Sequence, residues 1–292
     1  MSDPLSQAIG ILDLDNTSAR TSEDIFVGRS GWIPNRRVFG GQVLGQSVVA
    51  AQRTIDDRPI HSLHGYFLRP GDIELPITFA VDRIHDGRSF STRRIQAYQA
   101  GRPIFSMIAS FQAEEEGLDH RVEMPAGIPA PENLPTLRES VAEGAEHPMV
   151  AWTLMQAFEF KPLQVPVYLA IEGERVASQA VWMRAIGPVG PDPQLHSALL
   201  AYASDYNLLH PVLRRHGISV ATPGLRMASL DHAMWFHRPA RVDQWMLYAH
   251  ESPNTAGGRG LAYGRIFSRD GTLLASAAQE GMVRVPSSGP NA

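Results

Sequence analysis

The chain has no cysteine among its 292 residues. That excludes a disulfide framework, a thiolate metal site and a cysteine nucleophile, and it suits a reducing compartment. Lysine is almost missing too: Lys161 stands alone among 26 basic residues, and the remainder are arginine. A formal net charge of −4 leaves no global basic field, so nucleic acid is not expected as a partner. No apolar run approaches the roughly 18 residues of a membrane span. The opening MSDPLSQAIGILDLDNTS lacks the basic start and long apolar stretch of a signal peptide. The expectation is a soluble, cytoplasmic protein. Gly40, Gly41 and Gly45 have neither the spacing nor the βαβ surroundings of a dinucleotide fingerprint. His61, His64, His232 and His237 lack a further ligand at metal-binding spacing, so neither metal nor cofactor is expected.

What is present is one pattern stated twice. SLHGYFLRPGD from Ser62 and RSFSTRRIQAYQAGRPIFSMIASFQ from Arg88 return as SLDHAMWFHRPARVD from Ser229 and GRGLAYGRIFSRDGTLLASAAQEG from Gly258. Arg69 and Arg238 stand 169 residues apart, and the turn glycines Gly101 and Gly271 stand 170 apart. A nearly constant offset indicates a duplicated domain. At 43% hydrophobic, the chain is rich enough to bury two cores of ordinary size. The copies differ most where the second supplies Asp205, Ser229 and Gln279.

Each copy reads as one helix followed by antiparallel strands, an α+β arrangement. RVFGGQVLGQSVVAAQRT from Arg37 is apolar on most faces and rich in glycine and alanine, as a buried helix requires. Strands are expected near Ser62–Leu68, Leu75–Ile84, Phe90–Tyr98 and Pro103–Gln112, with hairpin turns at Asp86-Gly87 and Ala100-Gly101. From Ala113 the chain turns acidic and then proline-rich, a composition that buries little. The expected division is therefore a first domain over 22–112, a linker over 113–149 and a second domain over 150–284. In the second copy, strands near Phe158–Val167 and Gln179–Ile186 precede a helical run, LHSALLAYASDYNLL from Leu195. Four strands follow, near Met227–His237, Trp245–Glu251, Gly260–Phe267 and Leu273–Val283.

The strings RVFGGQVLGQSVVAA, HSLHGYFLRPGD, DGRSFSTRRI, PIFSMIASFQ, LLAYASDYNLL, SLDHAMWFHRP and LLASAAQEGMVR together resemble acyl-CoA thioesterase II, the TesB-type thioesterases. The resemblance runs in order from about Phe26 to Arg284. It implies a double hot-dog fold, two curved antiparallel sheets joined edge to edge, each wrapping a long helix. It also implies hydrolysis of fatty acyl-CoA, of medium to long chain, by a homo-oligomer. The family's water-holding Asp, Thr or Ser, and Gln match Asp205, Ser229 and Gln279.

Those residue types suit thioester hydrolysis. A thiol is acidic enough, with a pKa of about 8.5 in cysteine, that coenzyme A leaves as thiolate without a strong general acid. A carboxylate at Asp205 serves as base for water, and Ser229 and Gln279 orient that water. The tetrahedral oxyanion is best met by backbone N–H groups at a helix start, for which the Gly40-Gly41 turn of the first half is the candidate. Arg94 and Arg259, with Arg93 and Arg238, are candidates for the coenzyme A phosphates. Taken singly, Asp205 reads as a helix breaker, Ser229 as a strand serine and Gln279 as a surface residue; only the joint pattern lifts them. Trp235 and Phe236 read as core. A rival lies in DYNLLH, Asp205 to His210, which echoes the D-x-N-P-x-H pattern of hot-dog enoyl-CoA hydratases with Leu208 in place of the proline. Ser229 and Gln279 have no required role in hydration, which favours the thioesterase. A non-catalytic acyl-CoA-binding protein would need a lost carboxylate or an added DNA-binding module, and neither is seen.

Overall fold

The computed structural model describes residues 3–16, 23–141, 147–168 and 174–285. Helix α1 (Pro4–Leu12), strands β1 (Asp15–Asn16) and β2 (Asp24–Gly28), and helix α2 (Gly40–Gln52) precede strands β3 (Ile60–Phe67), β4 (Ile77–Asp86), β5 (Phe90–Gln99) and β6 (Arg102–Gln112). Short helices α3 (Leu137–Ser140) and α4 (Pro148–Thr153) lead to β7 (Phe158–Pro162), β8 (Ser178–Ala185) and helices α5 (Pro193–Ser204) and α6 (His210–His216). The chain closes with β9 (Arg226–Ser229), β10 (Asp231–Phe236), β11 (Met246–Ala256), β12 (Arg259–Ser268) and β13 (Leu273–Arg284). The expected domain limit at Ser22, and residues 142–146 of the expected linker, lie outside the described residues.

All the strands belong to one antiparallel sheet, ordered β1-β2-β4-β5-β6-β3-β10-β13-β12-β11-β8-β7, with β9 paired to β13. The order is mirrored about the β3–β10 contact: β6, β5, β4 and β2 on one side answer β13, β12, β11 and β8 on the other. Alternation does the local work. Along β13, Ala275, Ala277, Gln279, Gly281 and Val283 face inward while their neighbours face out.

Two central helices lie antiparallel against this sheet, and small residues set their spacing. A β-carbon on Gly41 would stand 2.2 Å from the Tyr202 carbonyl, and one on Gly45 would stand 3.1 Å from that of Ala198. Helix α2 is buried nearly all round, as its composition demands. Antiparallel packing brings the start of α2 beside the end of α5, and that junction positions the site.

Four expectations need correction. Trp235, expected in the core, is exposed on the outer face of the sheet. The helical run from Leu195 does not reach Leu209: α5 stops at Ser204, and Asn207 takes a left-handed φ of 63° that asparagine tolerates. The strand expected over Met227–His237 is broken at Leu230. The linker, expected to bury little, covers a second apolar cluster on the outer face, where Met124, Ile128 and Leu134 pack against Trp182, Trp245 and Phe267. The lone lysine fastens it there, Lys161 donating to the Pro131 and Leu134 carbonyls at 2.9 and 3.1 Å.

Candidate active site

A cavity of about 430 Å³ opens where the two central helices meet, and Gly40, Asp205, Ser229 and Gln279 are among its lining residues. Asp205 is the C-cap of α5. Its role as a helix terminator and its place in the site therefore coincide: ending the helix there turns the carboxylate into the cavity. Ser229 donates to Asp205 Oδ1 at 3.1 Å, and Gln279 Nε2 donates to Ser229 Oγ at 2.8 Å. The three residues that sequence reasoning singled out thus form one hydrogen-bonded chain.

The break in the strand makes this possible. In an unbroken strand Ser229 and His232, three residues apart, would point to opposite faces. Between β9 and β10 the pairing with β13 slips by one residue: Ser229 opposes Gly281, whereas Ala233 opposes Ala278. Asp231 holds the slip in place by accepting the Glu280 N–H at 2.7 Å. Both Ser229 and His232 then face the interior.

Gly40 touches the carboxylate directly. A β-carbon there would lie 2.7 Å from Asp205 Oδ2, so glycine is what admits the side chain. The N-cap of α2, Phe39, offers no side-chain acceptor, which leaves the first amides of the helix open. These amides and the helix dipole favour negative charge beside Asp205. Gly41 does not line the cavity; its role is the close contact with Tyr202.

The opposite wall is aromatic. Phe39 stacks on Tyr206 with ring centroids 4.7 Å apart, and Trp152 meets Phe39 edge-on at 5.5 Å. Burial pushes the Tyr202 phenol up to about 12 and Tyr206 well above its ordinary value, so neither is a base near neutrality. Burial, assisted by the Arg214 charge, pushes His210 down to about 3 and keeps that cavity-lining ring uncharged.

The arginine candidates are not gathered to the cavity. Arg94 pairs with Asp82 at 2.8 Å and Arg259 with Glu280 at 3.0 Å, each as an exposed cross-strand ion pair. Arg238 pairs with Asp119, and Arg93 is buried, bound to Asp86 and the Thr54 carbonyl. The arginines that line the cavity are Arg37 and Arg69. The sequence reading used Arg69 only as a repeat marker, although both residues adjoin the glycine and proline turns that shape the cavity. Among the described residues no cluster of His, Asp and Glu is suited to hold a metal, and no helix is long and apolar enough to cross a membrane.

An antiparallel sheet wrapped on central helices, with a polar chain beside a helix start at the wall of a cavity, defines a hot-dog enzyme. Known proteins agree. The family model described as acyl-CoA thioesterase matches residues 153–282, and that described as acyl-CoA thioesterase N-terminal domain matches residues 29–112. Human acyl-coenzyme A thioesterase 8 is 40% identical over 276 residues, covering 90% of this chain and 85% of its own. The crystal structure of an acyl-CoA thioesterase II, TesB2, from Mycobacterium marinum superposes with a TM-score of 0.77 at 40% identity, covering 97% and 99% of the two chains. A hot-dog protein of unknown function from Alicyclobacillus acidocaldarius reaches a TM-score of 0.79 at 18% identity over 96% and 98% of the chains, a likeness of fold alone. The chain belongs to the acyl-CoA thioesterase family and is a thioester hydrolase.

Proposed function

We propose that this enzyme hydrolyses fatty acyl-CoA of medium to long chain length, using a water activated by Asp205. The reading rests on one observation, the hydrogen-bonded chain from Gln279 through Ser229 to Asp205 beside the open start of α2. Asp205 takes a proton from water as the water oxygen attacks the thioester carbonyl carbon. Ser229 and Gln279 hold that water in line, and the Gly40 amide faces the charge that develops on the carbonyl oxygen. The C–S bond then breaks, and the coenzyme A thiolate leaves and takes up a proton. No cofactor is needed. The apolar wall of Phe39, Tyr206 and Trp152 suits an alkyl chain rather than a polar acyl group.

The same reading makes the fold a double hot-dog, with domains over 22–112 and 150–284 joined by a linker over 113–149. The mirrored strand order about β3 and β10 supports it. It also takes the enzyme to be a cytoplasmic homo-oligomer. Tyr66, Ile108 and Trp235, exposed together on the outer face at the join, support self-association.

The test is a thiol-release assay over saturated acyl-CoAs from acetyl to palmitoyl. The expected result is a kcat/KM that rises through the medium chain lengths. Equal rates on acetyl-CoA and palmitoyl-CoA would refute the alkyl assignment of the aromatic wall.

A further inference from the structure

His232 has no part in the chemistry above, yet it sits behind it. Its ring is 1% exposed, with Nδ1 2.5 Å from Gln279 Oε1 and Nε2 2.9 Å from Ser204 Oγ. Ser204 is itself fully buried, one residue before Asp205. A neutral imidazole has two tautomers and an amide two orientations, so the polarity of such a chain must be fixed from one end.

We infer that His232 is a positioning residue, which holds the Gln279 amide with Nε2 toward Ser229 by presenting an Nδ1–H that Ser204 secures. The inference rests on the roles proposed for Asp205 and Gln279. As an ionised base, Asp205 only accepts, so the Ser229 hydroxyl must donate to it. The lone pairs of Ser229 are then left for a Gln279 N–H. That turns Gln279 Oε1 toward His232, and Nδ1 must carry the hydrogen. Burial keeps the ring neutral, against the pull of Asp205. Nε2 is therefore bare and accepts the Ser204 hydroxyl.

The alternative shows what Ser204 decides. Its hydroxyl also lies 2.8 Å from the Ala201 carbonyl, and its single proton serves one partner. Were it given to Ala201, Nε2 would have to donate, and a bare Nδ1 would draw the Gln279 NH₂ away from Ser229. The reacting water would lose its donor. In the assigned polarity, Gln279 keeps a second N–H free for that water, and every dipole in the chain points at the carboxylate.

Three substitutions of His232, a Gln279→Ala background and one spectrum test this. His232→Asn keeps a donor near the Nδ1 position and should keep kcat within about fivefold, the worth of one hydrogen bond. His232→Gln, which reaches the Nε2 position instead, and His232→Phe should lose about 10²-fold in kcat with KM unchanged. Equal kcat in the Asn and Gln variants would overturn the inference, because a space-filling role does not distinguish the two nitrogens. If the variants fail to fold, ¹⁵N-histidine correlation spectra of the wild type decide. A protonated Nδ1 with a bare Nε2 near pH 7 is expected, and an Nε2–H tautomer or an imidazolium would refute it. Against a Gln279→Ala background, His232→Gln should cost nothing more. An undiminished loss there would end this inference and leave the role of Gln279 standing. Wild-type kcat in Gln279→Ala alone would end both.

Discussion

The two halves share a backbone device and fill it differently. The slip that turns Ser229 and His232 inward has a twin in the first half, where the pairing of β3 with β6 shifts between Ile60 and Ser62. Those residues stand 169 before Ser229 and Asp231. By the repeat offsets Leu63 answers His232 and Ala109 answers Gln279. The first half therefore holds Ile60, Leu63 and Ala109, all buried and apolar, where the second holds Ser229, His232 and Gln279. The register shift is common to both halves, and polar residues occupy these positions in the second half only. The helix starts divide the other way. Helix α5 opens with Pro193 and is capped by Asp192, whose side chain accepts the Gln194 N–H at 2.9 Å. Helix α2 opens on Gly40 with no side-chain cap. In the proposed mechanism one half supplies the base and its partners, and the other supplies the open amides beside it.

The comparison breaks most sharply at Asp205. Asp205→Asn keeps shape and volume but cannot take a proton from water, so kcat should fall by about 10³-fold or more while Tm stays close to wild type. Thiol release and a thermal melt on the same preparation measure both. Ser229→Ala and Gln279→Ala should each cost about 10² to 10³-fold, since each removes one group that holds the water or its charge. Wild-type rates in Asp205→Asn would move the base elsewhere.

Gly40→Ala tests the contribution of the first half. The new methyl would stand 2.7 Å from Asp205 Oδ2 and 3.1 Å from the Phe67 ring, so the carboxylate must shift. A fall in kcat of about 10²-fold is expected from misplacement alone. Alanine at a helix start should leave the melting temperature unharmed. An unchanged kcat would mean that the start of α2 is scaffold only.

The order of the strands in the sheet, with β3 beside β6 rather than β4, follows from no local signal. The succession of helix and strands in each half was legible, because period-two alternation and turn glycines are local signals, and Asp205, Ser229 and Gln279 were legible through the family resemblance. The break at Leu230 was not. SLDHAMWFH reads as one strand, and only pairing with β13 shows that Ser229 and His232 share a face. The partnership of His232 with Ser204 was hidden for the same reason, being a contact between residues 28 apart on different elements. The arginines failed on geometry of another kind. Arg94 and Arg259 sit directly across from Asp82 and Glu280 or beside them, and a cross-strand partner is not visible in either strand alone.

A smaller effect, on stability rather than rate, should follow from wiring the silent copy. Ala109 is fully buried, so Ala109→Gln both overfills the site and buries an amide with no partner. A loss of about 2 to 3 kcal/mol in urea unfolding is expected, with kcat of the folded protein unchanged. A second active site should not appear, because the start of α5 is already closed by Asp192 and Pro193. Raised thiol release in this variant would show that one polar residue suffices to activate a half.

The smallest effect is expected at His210, the residue on which thioesterase and hydratase readings part. It opens α6 rather than ending α5, and its ring lies edge-on against Tyr168 at 5.2 Å. Burial first, then Arg214, pushes it down to about 3, so it is neutral in the folded enzyme near pH 7 and makes no bond to Asp205 among the described hydrogen bonds. His210→Gln should leave thioesterase kcat within a few-fold. Its signature should be in acid stability instead. Below its unfolded value of about 6.5 the unfolded chain binds a proton that the native ring refuses, so stability present above 6.5 is lost as pH falls toward 3. His210→Gln should flatten that loss when urea midpoints at pH 7 and pH 5 are compared. The wild type should leave crotonyl-CoA unhydrated while releasing thiol from saturated acyl-CoAs, which offer a hydratase no double bond. If instead crotonyl-CoA loses its enoyl absorbance without thiol release, and His210→Gln stops that loss, then DYNLLH is a hydratase motif and the cavity performs two reactions.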